Sequence, residues 1–165
     1  MNGDPAVSPI ARPATHAPRS RVLAVSSGGG HWDELMLMRP LLQQYDTRYA
    51  TTSAALAARD GIEDAVILPD CNRNEPVQSL RSVLRAFYTV LRIRPDVIVS
   101  TGAAPGFFCI LAGRLVGART IWIDSFANAE QLSMCGKLSR YAASLCLVQW
   151  PHLAGARARF MGGLL

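Results

Sequence analysis

Three consecutive glycines run straight into a histidine at Gly28-Gly29-Gly30-His31. Glycine accepts positive φ and lets another molecule come close to the backbone. Asp33 and Glu34 follow in what reads as a first helical turn, where the helix dipole favours negative charge. Bare backbone N–H groups at such a loop form a pocket for a phosphate or another anion. His31 stands at the helix start, and an ordinary pKa near neutrality suits a general base or a phosphate donor. A helix cap or a satisfied core histidine is the alternative. The loop departs from the dinucleotide fingerprint, because its third glycine position is Asp33. No Gly-Lys-Ser/Thr follows, so it is not a Walker loop either.

The elements that must position this loop are legible around it. The apolar run over 21–26 is a short strand. Leu35, Met38, Leu41 and Leu42 return at helical spacing and predict a helix over 32–44. Further strands are expected over 48–52, 65–68, 95–100, 119–123 and 145–149, with helices over 54–59, 76–92, 107–116 and 133–143. Pro76 opens the long helix, since its missing N–H is unneeded there. Val77, Leu80, Leu84, Phe87 and Leu91 share one face of it. Arg81, Arg85 and Arg92 share another, which either rests on anionic lipid or a partner or is simply solvated.

Strands alternating with helices give the fold class. It is α/β, a Rossmann-like parallel sheet with helices on both faces. In such sheets ligands bind outside the carboxyl ends of the strands. Three loops there are polar or glycine-rich: 26–31, 100–106 and 124–131.

The chain has 165 residues, half of them hydrophobic, which suits one domain with a sizeable core. Residues 1–20 read as a disordered tail with Pro5, Pro9, Pro13 and Pro18, and 21–165 as the folded unit. The formal net charge is +5, and Lys137 is the only lysine. Arginine forks suit phosphate and carboxylate groups. No DNA or RNA module accompanies them, so nucleic acid is not expected as a partner. Cys71, Cys109, Cys135 and Cys146 show no C-x-x-C pairing and read as free thiols in a reducing cytoplasm. No signal peptide is visible. The longest apolar run, 103–116, is broken by Pro105 and Arg114 and does not reach a membrane span.

Four segments in register carry a resemblance: Ser26-Ser27-Gly28-Gly29-Gly30-His31, Ser100-Thr101-Gly102-Ala103-Ala104-Pro105, Ile123-Asp124-Ser125-Phe126-Ala127 and Val148-Gln149-Trp150-Pro151. They resemble the subunit-fourteen family of asparagine-linked glycosylation. That family includes the membrane-anchoring subunit of a two-chain UDP-N-acetylglucosamine transferase acting on dolichol-linked oligosaccharide. It also includes bacterial counterparts that add a sugar to polyprenyl-diphosphate glycans in exopolysaccharide or capsule synthesis. More distantly, the loops resemble the amino-terminal half of the transferase that makes lipid II.

The resemblance implies the acceptor-side half of a GT-B glycosyltransferase whose other half is a separate chain. The sequence stops near where a second half begins in a complete enzyme. UDP-sugar is then a substrate; no cofactor and no metal is expected. Implied partners are a subunit carrying the carboxyl-terminal half, the polyprenyl-diphosphate glycan and, peripherally, a membrane surface on its cytoplasmic face. His31 and Asp124 become the candidate catalytic groups, Asp124 as the alternative base or a ligand to a sugar hydroxyl, or else capping the next helix. Ser27, Gly28, Gly29, Gly30, Thr101, Gly102 and Ala104 become the acceptor or phosphate site, the 101–104 stretch alternatively a plain capped turn. Phe107, Phe108 and Trp150 are candidates for partner or membrane contact, or for core packing. Bacterial relatives usually carry Glu-Ser-Phe-Ala-Arg in the third loop; here Asp124 and Asn128 replace the Glu and the Arg, and the carboxylate reaches less far. Two other readings share the fold: a scaffold that recruits the catalytic chain to the membrane, and a stand-alone nucleotide-dependent enzyme such as a dehydrogenase.

Overall fold

A computed structural model describes residues 19–71 and 76–164. Most of the expected tail, residues 1–18, lies outside the described residues, as do 72–75 of the polar loop and residue 165. One sheet of seven parallel strands runs through the rest, comprising β1 Arg21–Val25, β2 Asp46–Thr51, β3 Val66–Ile67, β4 Val97–Ser100, β5 Arg119–Ile123, β6 Leu145–Val148 and β7 Arg159–Phe160. The helices are α1 Gly30–Leu37, α2 Arg39–Leu42, α3 Ala54–Arg59, α4 Pro76–Ile93, α5 Ala103–Leu115 and α6 Met134–Ala142.

The strand order is β3-β2-β1-β4-β5-β6-β7. The chain therefore builds outward from β1 in one direction, then crosses back and builds outward from β4 in the other. β1 and β4 lie side by side, with Val25 opposite Ser100 at their carboxyl ends. Their following loops diverge to opposite faces of the sheet, which opens a crevice between them.

Each face has its own core, set by the two-residue period of the strands. Leu23 and Val25 point one way and join Ile98, Trp122 and Val148 beneath α4, α5 and α6. Val22 and Ala24 point the other way and join Trp32, Leu35 and Ala57 of α1 and α3. Burying one such aliphatic side chain contributes about 1.5–3 kcal/mol. Close approach needs small residues: a Cβ on Gly113 of α5 would collide with Ile98, and one on Gly106 with Ser100 Oγ.

Four sequence expectations need correction. The first helix is two pieces, α1 ending at Leu37 and α2 starting at Arg39, because Pro40 cannot donate to the preceding turn. α5 starts at Ala103, four residues earlier than expected. Arg159–Phe160, expected only as a final segment, is a seventh strand beside β6. The apolar residues of α4 do not all share one face: Phe87 packs against the core and the others do not. Its buried positions are Ser82, Ala86, Thr89 and Val90, whereas Val77, Leu80, Leu84 and Leu91 stand outside.

Candidate functional site

Two helices begin at the crevice. α1 starts after Gly29, at φ +70°, and α5 after Gly102, at φ +147°. Neither N-cap supplies a side-chain hydrogen bond. Two other helices do have a side-chain cap: Ser53 Oγ accepts from Leu56 N on α3, and Ser133 Oγ accepts from Gly136 N on α6, whereas α2 after Met38 has none. The two crevice helices thus keep first-turn N–H groups with no side-chain acceptor, and their positive dipole ends converge. An oxyanion or diphosphate fits such a place.

His31 stands between them. Its Nδ1 lies 3.1 Å from the carbonyl oxygen of Thr101. A carbonyl can only accept, so Nδ1 carries the hydrogen and Nε2 of the neutral ring keeps its lone pair. Thr101 Oγ donates back to the His31 carbonyl at 2.6 Å. The ring rests directly over Gly102, where a Cβ would collide with Nδ1 and Cε1. Gly102 is therefore fixed twice, by its positive φ and by the imidazole above it.

The floor and far wall come from the loop after β5. An open pocket of about 370 Å³ is lined by Gly30 and His31, by Ala103, and by Ser125, Ala127 and Asn128. Ala103 holds φ +64°, a left-handed conformation that an alanine adopts at a cost, at the mouth of this pocket.

A buried carboxylate that the sequence did not single out holds this wall in place. Glu34, 7% exposed, reaches across from α1. It accepts from Ser125 Oγ at 2.6 Å, Phe126 N at 3.0 Å and Gln149 Nε2 at 3.3 Å. Gln149 also donates to the Asp124 carbonyl at 3.1 Å. The signal for Glu34 was present only as spacing: it sits three residues after His31, on the same side of the helix.

The remaining candidates divide. Gly28 N donates to Thr52 Oγ at 2.9 Å, which ties the glycine loop to the end of β2. Ser27 Oγ donates to the carbonyl of Gly28 at 3.2 Å. Thr101 is fully buried, so its hydroxyl braces His31 rather than facing a ligand. Ala104 is half-buried in the first turn of α5. Phe107 and Phe108 are half-buried against the core, their rings 6.1 Å apart. Trp150 stacks on Phe126 at 4.6 Å and donates its indole N–H to the Phe126 carbonyl at 2.8 Å.

Asp124 does not meet the expectation of a cleft-facing base. It is 2% exposed, and its carboxylate accepts from Ser133 N at 2.9 Å, Ser133 Oγ at 2.6 Å and Trp122 Nε1 at 3.2 Å. A Cβ on Gly136 would collide with it. The side chain fastens the start of α6 to the sheet, the capping alternative.

A family model described as "Oligosaccharide biosynthesis protein Alg14 like" matches residues 70–164, more than half of the chain. The chain belongs to this family. The UDP-N-acetylglucosamine transferase subunit ALG14 of Eremothecium gossypii is 31% identical over 132 residues, which cover 68% of this chain and 59% of that protein. The subunit of the same name from Mus musculus is 30% identical over 87 residues, 45% of this chain and 40% of that protein. The chain thus spans less than two thirds of either relative. Among solved structures, MurG of Acinetobacter baumannii superposes with a TM-score of 0.70 at 15% identity, covering 86% of this chain and 45% of that one. UDP-N-acetylglucosamine 2-epimerase of Rickettsia bellii gives 0.68 at 10% identity, covering 88% of this chain and 45% of that one. Identities this low speak for the fold, a half of the GT-B architecture.

Proposed function

We propose that this chain is the acceptor-side subunit of a two-chain glycosyltransferase. It moves a sugar from a UDP-sugar to a hydroxyl of a polyprenyl-diphosphate glycan in exopolysaccharide or capsule synthesis. A second subunit supplies the carboxyl-terminal GT-B half and the donor contacts. The work takes place at the cytoplasmic face of a membrane, to which the chain is peripheral. One observation carries the reading: two uncapped helix N-termini converge on a histidine whose Nε2 is free to accept a proton, in a member of the Alg14-like family.

The chemistry follows from that geometry. The glycine loop and the first turns of α1 and α5 hold the acceptor diphosphate through backbone N–H groups. His31 Nε2 takes the proton of the acceptor hydroxyl as its oxygen bonds to the anomeric carbon. The bond from that carbon to the UDP oxygen breaks, and the diphosphate leaves with the electron pair. Thr101 and Gly102 hold the imidazole in the required tautomer and orientation. Asn128 of the same pocket is offered to a sugar hydroxyl, while Ser125, whose hydroxyl is given to Glu34, shapes the wall. Asp124 takes no part in proton transfer.

The test is transfer of labelled sugar from UDP to an extracted lipid-diphosphate acceptor, using this chain co-expressed with a chain carrying a carboxyl-terminal GT-B half. Asp124→Asn is assayed alongside. Turnover by the pair that depends on His31 supports the reading. A pair with no transfer to any polyprenyl-diphosphate acceptor contradicts it.

A further inference from the structure

The outer face of α4 is inverted for a helix in water. Its core side carries the small residues Ser82, Ala86 and Thr89 with Val90. Its outer side carries Val77, Leu80, Leu84, Tyr88 and Leu91, which are 50% to 64% exposed. These residues follow one another at three- and four-residue spacing, so they form one stripe along the helix. A continuous apolar stripe of this kind marks a contact surface rather than ordinary scatter.

The charges on α4 itself are all of one sign. Arg81, Arg85 and Arg92 are exposed, and the helix contains no Asp or Glu. Arg92 donates to the Tyr88 hydroxyl at 3.0 Å, and the Arg85 guanidinium lies 5.6 Å from the Tyr88 ring centre. This flank opens on a groove of about 560 Å³ in which Arg48 is paired with Asp64 at 2.6 Å and Arg21 with Asp96 at 3.6 Å, leaving Arg85 and Arg92 against Asp46. At the far end, Leu91 and Val116 border a second groove with Arg94, Asp96 and Arg119. Leu115 beside it is 77% exposed. No helix among the described residues is long and apolar enough to cross a membrane.

We propose that α4 is the seat of this chain on an anionic lipid surface. The stripe lies in the boundary between headgroups and acyl chains, and the arginines hold headgroup phosphates. An apolar stripe flanked by basic residues and lying in the plane of the interface is the pattern such a helix takes. Charge favours this occupant: every charge on α4 is positive, which suits a continuous layer of headgroup phosphates beside the apolar stripe and leaves nothing for a partner's own cations. Topology places the seat usefully. α4 runs from the carboxyl ends of the strands back to their amino ends, so Val77 is at the crevice end and Leu91 at the opposite pole. The proposal assigns a surface to the membrane contact in the functional reading above, yet its test needs no donor, acceptor or partner.

The experiment is flotation of the full chain with vesicles of phosphatidylcholine alone and of phosphatidylcholine mixed with phosphatidylglycerol. The chain binds the mixed vesicles, not the neutral ones, and added salt releases it. Each arginine near an anionic surface is worth about fivefold in partitioning, so Arg81→Gln/Arg85→Gln/Arg92→Gln lowers it about a hundredfold. Leu80→Ser/Leu84→Ser weakens it as well. Both variants keep the thermal transition of the parent, because every altered side chain is exposed. Three results overturn the proposal. The parent stays unbound at low salt; or either variant binds as tightly as the parent, which puts the contact elsewhere; or sedimentation shows a dimer that the leucine variant dissolves, which makes a second copy the occupant. Vesicle binding without sugar transfer in the co-expressed pair leaves the seat standing and removes the reaction.

Discussion

His31 and Thr101 exchange two hydrogen bonds across the crevice between β1 and β4. The Thr101 hydroxyl donates to the His31 carbonyl at 2.6 Å, and His31 Nδ1 donates to the Thr101 carbonyl at 3.1 Å. The pair joins the two loops that leave neighbouring strands in opposite directions. It also fixes which imidazole nitrogen is the basic one.

Gly102→Ala tests that clamp. The new methyl meets the imidazole at a positive φ that alanine avoids. Stability falls by about 1–3 kcal/mol from backbone strain. Transfer by the co-expressed pair falls much further, by about a hundredfold, because the ring leaves its place. Urea unfolding followed by circular dichroism, beside the transfer assay, separates the two effects. Equal activity with a cleanly folded variant shows that the ring position does not matter.

Glu34→Ala removes the acceptor from Phe126 N–H, Ser125 Oγ and Gln149 Nε2 inside the protein. Buried donors without a partner cost about 1–3 kcal/mol each. The variant is expected to lose at least that much in chemical denaturation, and loop 124–131 is expected to gain hydrogen exchange. Protection unchanged in that loop would show that Glu34 does not hold it.

Burial pushes the thiols of Cys109 and Cys146 up to about 12. At pH 8 almost none of either is thiolate, and both are buried. Iodoacetamide followed by mass spectrometry should modify Cys71 and Cys135 first and reach Cys109 and Cys146 only after unfolding. Early modification of Cys109 contradicts the packing of α5 on the sheet.

The Arg59 guanidinium, helped by the Trp32 indole N–H, holds the Asp60 carboxyl below its usual range. Arg59 also grips Asp33 at 2.7 Å, so this cluster fastens α3 to the helix that carries His31. A carboxyl depressed by folding adds stability above its unfolded pKa and loses it as pH falls through the folded one. Unfolding midpoints therefore drop from about pH 4 downward. Asp60→Asn flattens that slope; an unchanged acid limb rules the cluster out as its source.

Much of this architecture could be read in the chain. The run over 21–26, the three glycines and His31 are local signals, and they sit where such signals place a strand, a turn and a helix start. What could not be read depends on distant contacts. Glu34 becomes a buried anchor because Ser125, Phe126 and Gln149, about a hundred positions away, bring donors to it. Asp124 occupies the expected loop, yet the start of α6 claims its carboxylate. The period of α4 shows that it has two faces but not which one is covered. Small residues on the inner face turned out to decide that, since they let α4 pack closely on α5.

The most direct measurement is turnover of UDP-sugar onto polyprenyl-diphosphate acceptor by three preparations: this chain alone, the chain with its carboxyl-terminal partner, and the pair carrying His31→Ala. The expected result is no transfer by the chain alone, transfer by the pair, and a loss of about a hundredfold in the variant pair. Robust transfer by the isolated chain, or an undiminished rate in the His31→Ala pair, contradicts it.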